Sequence, residues 1–370
     1  MGPFPGTASY SNVTIRQVVR VSAGGGHVRV RLSNEYGTRA LVIGKATIAV
    51  ANSAGEVQPG TVHALSFAGK PGATVPPGAP LLSDALELQV APLSSLSISL
   101  YFPEDTGPCT CHQTGMQTGY VSEPGDFTGT GQFPVHEKIE TRAFISGVEV
   151  ETPGKAVVVL GDSISDGVGS TPDQNRRWPD HLAERLAKHS SWGVVNMGIS
   201  GNRVLSGGLG DSALTRFDRD VLSVPGAAYV IVFMGVNDLG MSYGHAEGPM
   251  AEAFKALRPP HPVTSEAMIA GYRQLIERAH AKGLKIIGAT ITPYGGAAYY
   301  SAEGEQIRQA VNTWIRTGRA FDGVIDFDAV IRDPADPTRI KEGFHMGDHL
   351  HGSDAAYDAM ANAIDLSLLH

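Results

Sequence analysis

The sequence predicts two joined folds: an all-β sandwich or jelly-roll over residues 1–150, then a three-layer α/β fold with a mostly parallel sheet over residues 151–370. Three observations carry this. The first part is short, alternating and β-branched with Gly- and Pro-rich turns, the texture of strands with one wet face. After Glu151-Thr152-Pro153-Gly154-Lys155 it changes to apolar runs alternating with amphipathic segments, as βαβ units require. With 370 residues and 42% hydrophobic content, the chain is long enough to bury more than one core.

In the first part, strands are expected at 14–21, 27–32, 41–50, 61–67, 85–90 and 96–102, with one more at 142–150. Segment 103–140 is rich in Gly, Thr and Pro and too long for an ordinary connection, so it reads as an irregular loop that is functional or packed on a neighbour. In the second part, strands are expected at 156–160, 194–197, 229–234, 285–291 and 323–327. Helices are expected near 178–189, where Leu182, Ala183 and Leu186 share a face, and at 213–222, 265–282, 302–317 and 354–368. That order implies a flavodoxin-like parallel sheet covered on both faces.

Composition excludes several classes. The formal charge is -8, from 29 basic and 37 acidic residues, with no long run of lysine or arginine, which argues against a nucleic-acid partner. Apolar runs such as 229–234 fall well short of the roughly 18–20 residues of a membrane span. Residues 1–11 show neither the basic region nor the apolar stretch of a secretory leader. The two cysteines, Cys109 and Cys111, are separated by one residue, an awkward spacing for a mutual disulfide. A metal held by them and His112 would need distant ligands, so a loop held by local packing is expected there.

Chemistry concentrates in four islands. Val157-Val158-Val159-Leu160 reads as a buried strand that breaks at Gly161-Asp162-Ser163-Ile164, presenting a hydroxyl where open α/β sheets bind ligands. Asn196-Met197-Gly198-Ile199-Ser200-Gly201-Asn202 and Gly235-Val236-Asn237-Asp238 also follow expected strands. Asp348-His349-Leu350-His351 precedes the closing helix.

Taken in order, the islands resemble the four blocks of the SGNH (GDSL) hydrolases, serine esterases and lipases on a flavodoxin-like fold, and the resemblance covers roughly residues 156–370. It implies Ser163 as nucleophile, Asp348 and His351 as the rest of a triad, and Gly201 and Asn237 joining the Ser163 amide in an oxyanion hole. It implies no cofactor. Ile164 stands where leucine is usual, and Gly352 where proline is common. Some bacterial members look similar in carrying an N-terminal β-sandwich. Members of this look are often exported, so an extracellular or periplasmic site is expected, with the cytoplasm as the alternative. The expected substrate is a carboxylic ester, acetyl or another short acyl group, on a small molecule or a glycan.

The residues support this chemistry on their own terms. A serine hydroxyl needs an adjacent imidazole oriented by a carboxylate, and Asp348 and His351 supply both from one turn. Gly201 lets a backbone N–H approach unobstructed, and the Asn237 amide is a donor that cannot lose its proton. Plainer readings compete: Ser163 as a helix cap, Gly-x-Asn-Asp as a strand-ending turn, Asp348 as a cap, His351 as a surface histidine.

A different class of site would use His345, Asp348, His349 and His351 as ligands for a metal-activated water, although the His-Glu-x-x-His spacing is absent. A third reading is a carbohydrate-binding protein with a vestigial hydrolase site. Asp162, Asp166 and Asp238 are expected to bond loops. Asn202 and Arg203 either touch substrate or brace their loop. Specificity is expected in 240–263, with Met241, Tyr243 and Met250, and in 294–300, where Tyr299 and Tyr300 can stack on a sugar or aryl group. The β-rich part is open to binding polysaccharide, covering the cleft through 103–140, or building a homo-oligomer interface.

Overall fold

The computed structural model describes residues 8–52, 55–188, 191–244 and 251–369. Met250 and residues 1–7 lie outside these. The chain divides into two compact units, one of residues 1–154 with 172–175 and 187–193, the other of 155–171, 176–186 and 194–370.

The first unit is antiparallel. Its largest sheet has six strands in the order Val135–Ile139, Gly119–Pro124, Val13–Arg20, Ser95–Phe102, Lys45–Ala51 and His63–Ala64. In another, Ile145–Val150, Pro80–Leu82 and Leu86–Val90 all pair with Gly25–Ser33. Both contribute to one core. Leu96, Ile98, Leu100 and Phe102 alternate along one strand, so all four point to the same face, where they join Val28, Val30 and Leu32.

Several expectations are corrected here. Segment 103–140 is not wholly irregular: Gly119–Pro124 and Val135–Ile139 extend the six-stranded sheet, and Cys111–His112 pairs with Arg142–Ala143. The strand expected at 41–50 breaks at Gly44 into Leu41–Ile43 and Lys45–Ala51, which belong to different sheets. The strand at 142–150 breaks at Phe144, whose φ is 60°. Cys109 and Cys111 are bonded to each other, their Cα atoms 5.4 Å apart, within the bridging range.

The second unit carries a five-stranded parallel sheet in the order Gly193–Gly198, Ala156–Gly161, Ala227–Phe233, Lys285–Ala289 and Gly323–Ile325. This is a doubly wound order whose direction reverses at Ala156–Gly161, so its crevice opens beside that strand's carboxyl end. Its helices include Trp178–Leu186, Ala213–Phe217 continuing as a π turn through Asp218–Leu222, Ser265–Ala281, Ala302–Thr317 and Asp354–Asn362. Side-chain caps from Ser212, Thr264, Ser301 and Ser353 set four of their starts. The 240–263 insert is partly helical, with Val236–Tyr243 and Ala251–Leu257. No helix among the described residues is long and apolar enough to cross a membrane.

Candidate active site

Ser163 opens the short helix Ser163–Asp166 directly after the strand Ala156–Gly161. The cap is its neighbour: Asp162 Oδ1 accepts from the Ile164 N–H at 3.0 Å. The Ser163 hydroxyl is therefore not engaged in capping. The turn requires glycine at 161, where a Cβ would lie 2.2 Å from Ser165 Oγ.

One turn of the loop before the closing helix supplies the partners. Asp348 Oδ1 accepts from the Leu350 and His351 N–H groups, both at 3.0 Å, and Oδ2 lies 2.6 Å from His351 Nδ1. A carboxylate only accepts, so Nδ1 carries the ring proton and Nε2 is left as the acceptor. Ser163 Oγ stands 2.8 Å from that Nε2. Burial alone would raise the Asp348 carboxyl, but the side-chain and backbone hydrogen bonds of His351 outweigh it and hold the group at about 2. The loop is closed by a bond from Met346 N–H to His351 O at 3.0 Å. Asp348 does not cap the following helix, a task taken by Ser353.

The oxyanion candidates are linked through Asn202. Asn237 Nδ2 donates to the Asn202 carbonyl at 3.0 Å, leaving its second hydrogen for another acceptor. Gly201 has φ 74°, and a Cβ there would meet Leu209 at 2.3 Å. Among the described residues, the N–H groups of Ser163 and Gly201 have no acceptor within the protein.

The loop is tied on two sides by buried carboxylates. Asp166 Oδ2 accepts from Ser200 N–H (3.1 Å) and Oγ (2.7 Å), and Asp238 accepts from Val204 N–H (2.8 Å) and Leu205 N–H (3.0 Å). Burial pushes Asp162 up to about 7 and Asp238 up to about 6, against the hydrogen bonds each accepts.

Asn202, expected either to touch substrate or to brace its loop, is 1% exposed and its side chain is engaged within the protein. Its Nδ2 donates to the carbonyls of Leu209 (3.0 Å) and Asp211 (2.8 Å), and its Oδ1 accepts from Arg216 (3.0 Å). Arg203 braces too, donating to Ser206 O and Leu257 O. Tyr299 is 6% exposed, and its hydroxyl donates to Asn237 Oδ1 at 3.1 Å, so its ring is not presented for stacking. Tyr300 is half-buried, edge-on to Tyr294 with centroids 5.2 Å apart.

The metal alternative loses its ligand set. The rings of His345 and His349 pack on each other at a tilt with centroids 4.3 Å apart, and His345 Nδ1 accepts from the Gly347 N–H at 3.1 Å. Both nitrogens of His351 are engaged by Asp348 and Ser163. Among the described residues, no three His, Cys, Asp or Glu side chains are placed to share an ion, at this loop or beside Cys109 and Cys111.

Sequence reasoning missed Arg216, which is buried and donates to Gly161 O (2.9 Å), Met197 O (2.7 Å) and Asn202, and pairs with Asp220. The one signal for it is a charged residue on the face that Ala213 and Phe217 bury.

Fold and site together define a doubly wound α/β protein with a hydrogen-bonded serine, histidine and aspartate at the carboxyl end of its sheet. The pattern of the GDSL-like Lipase/Acylhydrolase family matches residues 159–359, over half of the chain, and the chain belongs to that family. Among solved structures, it is similar to a GDSL-like lipase from Bacteroides thetaiotaomicron VPI-5482, with 18% identity, 58% of this chain and 88% of that one covered, and a TM-score of 0.41. It is also similar to the psychrotrophic esterase EstA from Pseudoalteromonas sp. (19%, 56% and 93%, 0.40) and to the acetyl xylan esterase AlAXEase (18%, 56% and 96%, 0.40). No curated protein matches the chain.

Proposed function

We propose that the chain is a serine carboxylic-ester hydrolase working through an acyl-enzyme. The observation that carries this reading is the run of hydrogen bonds from Ser163 Oγ to His351 Nε2 (2.8 Å) and from His351 Nδ1 to Asp348 Oδ2 (2.6 Å). Ser163 Oγ attacks the ester carbonyl carbon while its proton passes to His351 Nε2, and Asp348 stabilises the imidazolium. The negative oxygen of the tetrahedral intermediate accepts from the N–H groups of Ser163 and Gly201 and from the Asn237 amide. Collapse breaks the bond to the alkoxy oxygen, which leaves with the proton from His351. Water then attacks the acyl-serine, gives its proton to His351, and the second collapse returns that proton to Ser163 and releases the acid. The steps balance without metal or organic cofactor.

Family membership supports an acyl ester, and acetyl or other short acyl esters, on small alcohols or on a glycan, are the proposed substrates. An extracellular or periplasmic site is inferred, supported by the Cys109–Cys111 bond, since disulfides persist in oxidising compartments.

Ser163→Ala is expected to abolish p-nitrophenyl acetate hydrolysis and fluorophosphonate labelling while leaving the far-UV spectrum unchanged. Near-native turnover in that variant sinks the serine mechanism, and a wild-type Ser163 that resists the probe indicates a vestigial site. A panel from acetyl sugars to long acyl chains then resolves the substrate.

A further inference from the structure

We propose that Tyr299 is a positioning residue for the oxyanion site, holding the Asn237 amide so that one N–H bonds Asn202 and the other is kept for the tetrahedral intermediate. The proposal rests on the serine-esterase reading and extends it to a residue outside the four motif islands.

The amide can be oriented only one way. Asn237 faces the Asn202 carbonyl at 3.0 Å on one side and the Tyr299 hydroxyl at 3.1 Å on the other. A carbonyl only accepts, so Nδ2 must lie towards Asn202 and Oδ1 towards the phenol. The phenol is a lasting donor: burial pushes it well above its ordinary range, with Asp162, Tyr294 and Asp348 adding to the shift, so it keeps its proton at any working pH. Donation into Oδ1 also polarises the amide and strengthens its N–H groups as donors.

The ring has a built seat. Asn237 and Gly240 lie three residues apart in Val236–Tyr243, and therefore share a helix face. Tyr299 packs against Gly240, where a Cβ would fall 1.5 Å from the edge of its ring, and Tyr294 supports it from 5.9 Å. A side chain at 240 would displace the phenol from the amide.

Two bonds fix the plane of the amide, and without the phenol it can tilt about the Asn202 contact. The loss then falls on the tetrahedral state more than on ester binding. The test compares Tyr299→Phe, Asn237→Ala, the double variant and Ser163→Ala on p-nitrophenyl acetate. Tyr299→Phe keeps the ring on Gly240 and is expected to lower kcat roughly three- to tenfold, the effect of one neutral hydrogen bond. KM should stay within about twofold, and in the Asn237→Ala background the same change should move kcat by less than about twofold, because no amide remains to be held. A wild-type kcat in Tyr299→Phe, or an equal loss in both backgrounds, overturns the role of Tyr299. Full turnover in Ser163→Ala, or a wild type that hydrolyses no ester, overturns instead the reading on which it rests.

Discussion

Replacing Asp162 with asparagine removes a buried ionisable group from beside the serine while keeping its capping oxygen. Asp162 is 2% exposed, and its Oδ1 caps the Ser163 helix through the Ile164 N–H. Asparagine offers the same capping oxygen. Burial is the largest influence on the carboxyl; the Ile164 bond and His351 oppose it, Asp238 and Asp166 add to it, and the folded protein keeps the proton up to about 7 against an ordinary 3.8. An unfolded chain releases that proton near 3.8, so the fold binds it more tightly across the interval. The stabilisation is complete below 3.8 and is lost as the pH rises through about 7. At about 1.36 kcal/mol per pH unit the whole interval is worth roughly 4 kcal/mol, of which about 3 kcal/mol falls between about pH 5 and pH 8.5. Urea unfolding followed by tryptophan emission, to which Trp178 contributes from its buried place against Phe233 and Phe327, measures this. Asp162→Asn should gain about 3 kcal/mol on wild type between the two pH values. An unchanged difference would mean that the carboxyl is already ionised in the fold near pH 5, and the burial argument would be refuted.

Asp348→Asn puts an amide opposite His351 Nδ1, where it can donate and drive the ring proton to Nε2; kcat should fall on the order of ten-thousandfold, and a loss below about tenfold on p-nitrophenyl acetate would remove Asp348 from the chemistry. Thiol titration of the urea-unfolded protein should find no free thiol before reduction and two after it, while two thiols in untreated protein would contradict the Cys109–Cys111 bond.

The parallel sheet was legible because strands buried on both faces read as unbroken apolar runs, as at Val157-Val158-Val159-Leu160. The helix Ala302–Thr317 was legible to the residue, since Ser301 marks its start and Gly318 its end. Ser163, His351 and Asp348, which the fold brings within hydrogen-bonding distance, were legible because the four islands stand in the order of the SGNH blocks, and that resemblance implies these three residues. The outer strands of the first unit were not. Gly119–Pro124 pairs with Val13–Arg20, about a hundred residues earlier, and Val135–Ile139 is nearly all exposed, so neither carries a local apolar pattern. Tyr299 was singled out for the wrong partner, because a tyrosine in a loop shows its chemistry in sequence and not its direction.

The spacing inside the islands has a physical reason beyond the reacting groups. The first three islands each offer one residue to the proposed chemistry and the fourth offers two, Asp348 and His351, while residues in or next to the first three tie them to one another. The helix that begins at Ser163 carries Asp166, which holds Ser200 beside Gly201, and the Ser165 carbonyl of the same helix accepts from Asn196 at 2.6 Å. The helix that carries Asn237 carries Asp238, which holds Val204 and Leu205 at the far side of the same loop. Arg216 closes the circuit by bonding Gly161 O and Asn202 together. The glycine loop is thus fixed from both helices, so that in the proposed chemistry its N–H would not have to reorganise as charge develops. Sequence neighbours of the reacting residues, Asp166 and Asp238 above all, are therefore constrained by geometry as tightly as the reacting residues are by chemistry.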